Sequence, residues 1–246
     1  MKVHAVKVLK DNYSWILEFN QMAFCIDPGE SDPIIKLLKK YHLSLKCILL
    51  THDHADHIAG IPEILKTFPE CLIINHKNHE QIPDILGSKV IVYKTPGHTN
   101  NHLSFYWNGH LFSGDSLFHL GCGRIFSGTS EDFLKTLDFY QNFPDEALLC
   151  CAHEYSLEGA YFSNWVFYPI DDSYLKIIDH YQLKKQTIPV SFSLEKKLNP
   201  FLRTDDLVYE ALAQHGFNCS CLNEARLILR KLKDSYQSNV TFFPKK

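Results

Sequence analysis

The sequence predicts a layered α/β fold followed by a smaller helical C-terminal part. Three observations predict it. Short apolar runs bounded by turn residues fill the first two-thirds of the 246 residues, helix-period segments interleave with them, and after about His153 only the helical period continues. Val3–Val8 alternates apolar with polar residues and reads as a strand rather than a signal peptide. Ser14–Phe19, Ala23–Ile26, Cys47–Thr51, Leu72–Asn75, Val90–Tyr93, Leu103–Tyr106, His110–Gly114 and Leu148–Ala152 follow as short strands. Between them Pro33–Tyr41, Gly60–Phe68 and Glu131–Asn142 carry helix spacing. Leu157–Val166, Tyr174–Gln186, Asp205–His215 and Asn223–Tyr236 make up the helical part, with Asp205 and Asn223 expected as N-caps. The change of pattern divides the chain into residues 1–160 and 161–246.

Composition narrows the class. With 45% hydrophobic and 22% charged residues the chain is neither disordered nor fibrous, and a net charge of −3 argues against a polyanion-binding surface. No apolar run approaches the ~20 residues a membrane helix needs. The eight cysteines form no CxxC pair, and Cys47, Cys150 and Cys151 sit inside apolar strands. That usage expects free buried thiols in a reducing, cytoplasmic setting. Neither nucleic acid nor membrane is expected as a partner, and nothing demands more than a monomer.

The 14 histidines are not scattered. Thr51-His52-Asp53-His54-Ala55-Asp56-His57 follows the apolar run Cys47-Ile48-Leu49-Leu50, so one strand delivers three histidines and two aspartates into a single turn. His52 and His54, two residues apart, can point to one side of an extended chain. Asp56 and His57 come after the turn and can face a second position. His98, Asp115 and His153 each end or follow another apolar strand, where an α/β sheet exposes its binding edge. Seven donors from four strand ends suit two metals sharing a carboxylate, with a water or hydroxide between them. Imidazoles and carboxylates favour Zn, Fe or Mn over Ca or Mg. With no cysteine in the cluster, a closed thiolate site is not expected; open positions imply catalysis, with hydrolysis as the default reaction.

At these residues the chain resembles the metallo-β-lactamase superfamily, whose T-H-x-H-x-D-H signature and later His, Asp and His are all matched. The resemblance implies an αββα sandwich with the metals at one edge. It implies one metal held by His52, His54 and His98, a second by Asp56, His57 and His153, and Asp115 bridging them. Asp11-Asn12-Tyr13, Ile26-Asp27-Pro28-Gly29, Gly114-Asp115-Ser116-Leu117-Phe118, Gly121-Cys122-Gly123-Arg124 and His153-Glu154-Tyr155 are similar to the glyoxalase II family, the hydroxyacylglutathione hydrolases. So are Asn199-Pro200-Phe201-Leu202-Arg203 and Arg230-Lys231-Leu232-Lys233-Asp234, and the match runs over essentially the whole chain.

That second resemblance implies a helical C-terminal domain that helps bind the glutathione part of a substrate. It also implies two divalent metal ions, with Zn first and Fe or Mn as alternatives. The reaction implied is hydrolysis of an S-(2-hydroxyacyl)glutathione, such as S-D-lactoylglutathione, to glutathione and D-lactate by a metal-bridging hydroxide, the second step of methylglyoxal detoxification. Carried over residue by residue, the glutathione contacts would be Arg124, Tyr155, Arg230 and Lys233, of which the two arginines and the lysine are cations suited to a substrate with two carboxylates. Two positions depart from the pattern: Phe126 stands where Tyr is frequent, which removes a hydroxyl, and Arg124 stands where Lys is frequent. Asp27 and the Asn12–Tyr13 pair are expected to support the ligand loops. His102 and His119 lie near the motifs without an assigned role. The alternatives are a persulfide dioxygenase, another hydrolase on this fold, or a non-catalytic metal-binding protein.

Overall fold

A computed structural model of the chain describes residues 1–85, 87–183 and 186–236. Strands β1 (Lys2–Val8), β2 (Asn12–Phe19) and β3 (Met22–Ile26) form an antiparallel meander. Helix α1 (Ser31–Lys40) crosses over to β4 (Ser44–Leu49), which lies parallel to β3. The short α2 (Ala55–Ile58) and α3 (Ile61–Thr67) then lead to β5 (Leu72–Ile74), parallel to β4. The first sheet has the order β1-β2-β3-β4-β5. A second meander, β6 (Ile91–Lys94), β7 (Leu103–Trp107) and β8 (His110–Gly114), starts the second sheet. A hairpin of β9 (Leu117–Phe118) and β10 (Gly121–Cys122) and the helix α4 (Ser130–Gln141) precede β11 (Leu148–Cys151), parallel to β8. Helices α5 (Ser156–Phe167) and α6 (Ser173–Tyr181), strand β12 (Val190–Ser191), and helices α7 (Phe192–Leu198), α8 (Leu207–Gln214) and α9 (Leu222–Tyr236) complete the chain. The second sheet has the order β12-β11-β8-β7-β6.

Strand β2 explains why the sheets stack. Tyr13, Trp15 and Leu17, alternate residues of the strand, share a core with Phe24 and Leu49 of the first sheet and Phe105, Trp107 and Phe112 of the second. Ile16, on the opposite face, packs with Ile34, Leu38 and Ile64 of α1 and α3. Both faces are apolar because both are covered, and each large side chain buried there is worth about 1.5–3 kcal/mol. On the far side, Leu111 and Leu149 share one core with Phe133 and Leu137 of α4 and with Phe162, Phe201 and Leu229 of the C-terminal segment. The layers are therefore helix, sheet, sheet, helix, the expected αββα sandwich. The C-terminal helices finish its outer layer, and the expected division at residue 160 falls inside α5.

Local expectations differ at a few points. The β9–β10 hairpin, β12 and α7 carry no sequence signal, since two-residue strands have no period to read. Asp205 does not cap a helix; its carboxylate accepts from Arg203 Nε at 3.1 Å and Nη2 at 2.6 Å, and α8 begins after Asp206. Asn223 lies inside α9, where Glu224 accepts from the Ser220 amide at 2.7 Å. Helix α6 ends at Tyr181, short of the expected Gln186; residues 184 and 185 lie outside the described residues. All eight cysteines are free, six of them buried. Among the described residues no helix is long and apolar enough to cross a membrane.

Candidate metal centre

The seven expected donors meet at one edge of the sandwich, carried there by the segments that follow β4, β6, β8 and β11. His54 Nδ1 lies 3.0 Å from His52 Nε2 and 3.1 Å from His98 Nε2. His57 Nε2 and His153 Nε2 lie 3.3 and 3.2 Å from Asp115 Oδ1, and 3.6 and 3.5 Å from Asp56 Oδ2. The other oxygen of Asp115 is 3.7 Å from His98 Nε2. Two donor groups result, each with its ligand atoms within 4.8 Å of one another: His52, His54, His98 and Asp115 in one, Asp56, His57 and His153 in the other. The Asp115 carboxylate faces both.

Hydrogen bonds on the outer side of the rings decide what faces inward. Thr51 Oγ1 donates to Asp27 Oδ2 at 2.6 Å, so it can only accept from His52 Nδ1, 3.0 Å away. His98 Nδ1 donates to the Arg124 carbonyl at 2.9 Å, His57 Nδ1 to Asp27 at 2.9 Å and His153 Nδ1 to Asp11 at 3.0 Å. In these four rings Nδ1 carries the proton that is given away, and a bare Nε2 lone pair points at the centre. Asp56 is steered by Asn12, whose amide donates to it at 2.9 Å. Asp27 also lies within ligand distance of His52 and His57, but its oxygens are already taken by Thr51 and His57, which makes it an orienting group.

This donor set fits divalent cations. His57 Nε2 and Asp115 Oδ1 are buried, face each other and have no hydrogen-bond partner among the described residues. Two lone pairs so placed repel unless a positive charge lies between them. Electrostatics point the same way. Burial drives His52 far below the usual imidazole range and lowers His98. Burial also works to lower His57 and His153, but Asp115, joined by Asp27 or Asp11, overcomes it and holds both rings above their usual range. The second half of the cluster thus favours positive charge, which a metal ion supplies as well as a proton does.

The cluster opens into a cavity of about 500 Å³ that the four expected substrate contacts also line. Lys233 is 8% exposed, sits 5.1 Å over the Phe162 ring, and among the described residues its Nζ has no hydrogen-bond or ion-pair partner. Burial pushes its pKa down to about 8. Arg230 reaches the same cavity but also donates to the Cys122 carbonyl and to Asp234, both at 2.8 Å, tying the turn after β10 to α9. Half-exposed Arg124 has its Nε 3.4 Å from Asp234. The Tyr155 ring lies flat against His153, with centroids 4.6 Å apart and planes 6° off parallel. Phe126, 64% exposed, stands edge-on to His54 and His98 at the mouth. Gly123 is required by close approach: a Cβ there would lie 1.9 Å from the Asp115 carbonyl oxygen.

Two histidines without an expected role acquire one. His102 accepts from the Asp115 amide at 3.3 Å and is pushed by burial to a pKa of about 3. His119 joins Glu195 through Nδ1 and Tyr181 through Nε2, the latter at 2.6 Å. Glu195 in turn accepts from the Leu120 amide at 3.2 Å and from Asn199 at 2.9 Å, while Asn199 also donates to the Phe118 and Gly121 carbonyls. This buried network fastens the β9–β10 hairpin, one wall of the cavity, to α6 and α7. Glu195 gave no sequence signal, because a Glu beside two lysines reads as a solvated helix face.

Comparison with known proteins agrees with the geometry. A profile of the metallo-beta-lactamase superfamily matches residues 11–89. The crystal structure of the B3 metallo-beta-lactamase BLEG-1 shares the fold with a TM-score of 0.60 at 20% identity, covering 82% of this chain and 100% of that one. Fold and signature make the chain a member of the metallo-β-lactamase superfamily, whose members bind divalent metal through such His and Asp groups. A second profile, hydroxyacylglutathione hydrolase C-terminus, matches residues 154–236. Curated hydroxyacylglutathione hydrolases of Erwinia tasmaniensis and of Buchnera aphidicola subsp. Schizaphis graminum are 33% and 36% identical, each over 96% of this chain and 100% of the relative. The chain belongs to the hydroxyacylglutathione hydrolase family.

Proposed function

We propose that this chain hydrolyses the thioester of S-(2-hydroxyacyl)glutathiones such as S-D-lactoylglutathione, releasing glutathione and a 2-hydroxy acid. The metal centre would take two ions, with His52, His54 and His98 to hold one, Asp56, His57 and His153 to hold the other, and Asp115 available to both. The observation that carries this reading is that one cavity joins the imidazole–carboxylate cluster to a buried Lys233, without a hydrogen-bond or ion-pair partner among the described residues, beside Arg124, Arg230 and Tyr155. Full-length relatives that bear the hydrolase name support it.

Bound divalent ions, zinc first and iron or manganese as alternatives, would bring the pKa of a water toward about 7 and polarise the thioester carbonyl. The chain's own residues do the rest. Thr51, Asp27, Asp11 and the Arg124 carbonyl hold four rings in one tautomer, so the donors need no reorganisation during turnover. Lys233 and Arg124 receive the carboxylates of the glutathionyl group, and Tyr155 on His153 forms a flat wall between the reacting end and the anchoring end. The departing glutathione thiolate derives from a thiol of pKa near 8.5, so it leaves without a proton from any side chain. The free, mostly buried cysteines support a cytoplasmic setting.

The test pairs a thioesterase assay on S-D-lactoylglutathione with metal analysis of the same sample. Glutathione release with about two metal equivalents, lost on chelation and restored by Zn²⁺, is the expected result. Metal-loaded protein that leaves the thioester intact, or that consumes O₂ with glutathione persulfide instead, would overturn the assignment.

A further inference from the structure

We propose that Tyr140, buried in α4 and outside the cavity, positions the turn that carries Asp115 through an unbroken one-way chain of hydrogen bonds. The inference rests on the metal-centre reading above. The chain of bonds starts and ends on that turn. The Asp115 amide can only donate, and it donates to His102 Nε2 at 3.3 Å. An imidazole that accepts at Nε2 carries its proton on Nδ1, so His102 donates to Thr95 Oγ1 at 3.0 Å. Thr95 then donates to Ser104 Oγ at 2.8 Å, and Ser104 to the Tyr140 hydroxyl at 2.8 Å. Tyr140 donates to Ser116 Oγ, and Ser116 closes the path on the Ser113 carbonyl at 2.8 Å, a group that can only accept. Both ends being fixed in sense, every hydroxyl between them gives one hydrogen bond and takes one.

The setting keeps the path away from solvent. Thr95, Ser104, Ser113 and Tyr140 are fully buried, and His102 and Ser116 nearly so. The turn itself has no slack: Gly114 has φ +51°, and a Cβ there would lie 2.5 Å from Thr51 Oγ1 and 2.9 Å from His102 Nε2. Helix α4 supports the neighbouring ligand loop as well, for Thr136 Oγ1 donates to the Pro96 carbonyl at 2.6 Å, two residues before His98. One outer helix therefore registers the Asp115 turn and the His98 loop against each other. Deleting the Tyr140 hydroxyl leaves the Ser104 and Ser116 hydroxyls without their partner and the turn free to drift.

The test reads Zn²⁺ affinity by chelator competition, with the unfolding temperature measured alongside. Tyr140→Phe keeps the ring and is expected to weaken Zn²⁺ binding by about 10-fold or more, as loss of an outer partner does elsewhere. It should lower kcat on S-D-lactoylglutathione while KM changes by less than about twofold. Tyr174→Phe deletes an equally buried hydroxyl that bonds Leu198 and Arg203 away from the cavity; it should lower the unfolding temperature and leave Zn²⁺ affinity unchanged. Wild-type Zn²⁺ affinity in Tyr140→Phe overturns the proposal, and so does an equal loss in Tyr174→Phe. If Tyr140→Phe does not fold, Ser104→Ala cuts the same path, and unchanged affinity there overturns it. Asp115→Ala keeps the two readings apart. If it loses Zn²⁺ while Tyr140→Phe does not, the positioning role alone falls; if it retains Zn²⁺, the metal-centre reading falls with it.

Discussion

At the metal end of the cavity four histidines have their outer nitrogens held by Thr51, Asp27, Asp11 and a backbone carbonyl, whereas at the cationic end the Lys233 ammonium has no hydrogen-bond or ion-pair partner among the described residues. The contrast follows from what each end must tolerate. Lone pairs and carboxylates crowded together repel, so the donors are clamped from behind and wait for a cation. A single ammonium needs no clamp; burial against Phe162 makes its charge costly until a carboxylate pairs with it. One end is organised by hydrogen bonds, the other by desolvation.

The largest effect should break the first end outright. Asp115→Ala removes the carboxylate that faces both donor groups; metal content should collapse and thioesterase activity disappear, read by metal analysis and assay. Lys233→Met tests the second end alone. It should raise KM about 10–100-fold, the loss of a charge-assisted hydrogen bond, with kcat within a few-fold and metal content unchanged. A fall in metal content would erase the distinction between the two ends. Asp11→Ala frees His153 Nδ1 and should weaken metal binding about 10-fold while KM stays level, the mirror image of the Lys233 result.

The pH dependence sharpens the contrast. Lys233 loses its proton as pH passes about 8, so KM should rise above that pH in the native chain and stay flat across it in Lys233→Met. Stability runs the other way. The folded pKa of about 8 lies below the ordinary 10.5, so the unfolded state binds more protons between them and stability rises with pH across that window. The stability deficit of the native chain relative to Lys233→Met, on the order of 3 kcal/mol at neutral pH, should close between pH 8 and 10.5 in denaturant titrations. The smallest effect belongs to the mouth. Phe126→Tyr restores a hydroxyl beside the cavity and should lower KM about 2–5-fold, with no change in metal affinity.

Legibility in the sequence differed between the ends for a physical reason. His52, His54, Asp56 and His57 follow one apolar strand within a few residues, and His98, Asp115 and His153 follow others, so local pattern alone exposes them. Asp27 and Asn12 were visible as candidate supports, yet which ring each serves depends on side-chain direction across the sandwich. Glu195, Thr95, Ser104 and Tyr140 carried no signal: each looks like a routine helix or strand residue until a partner far along the chain is packed against it. Arg230 was expected to meet substrate, and it also sews the Cys122 turn to α9, a contact no spacing could suggest.

By itself the sequence determined the layered α/β class, the strand ends and the donor set, because hydrophobic period and residue chemistry are local properties written in consecutive positions. Only the tertiary structure decided which nitrogen of each ring faces inward, that the C-terminal helices share a core with the second sheet, and that a lysine on the last helix is buried in the same cavity as the metal donors. Those properties arise from contacts between residues up to 142 positions apart in the chain, as for Asp11 and His153, and exist only once the layers close.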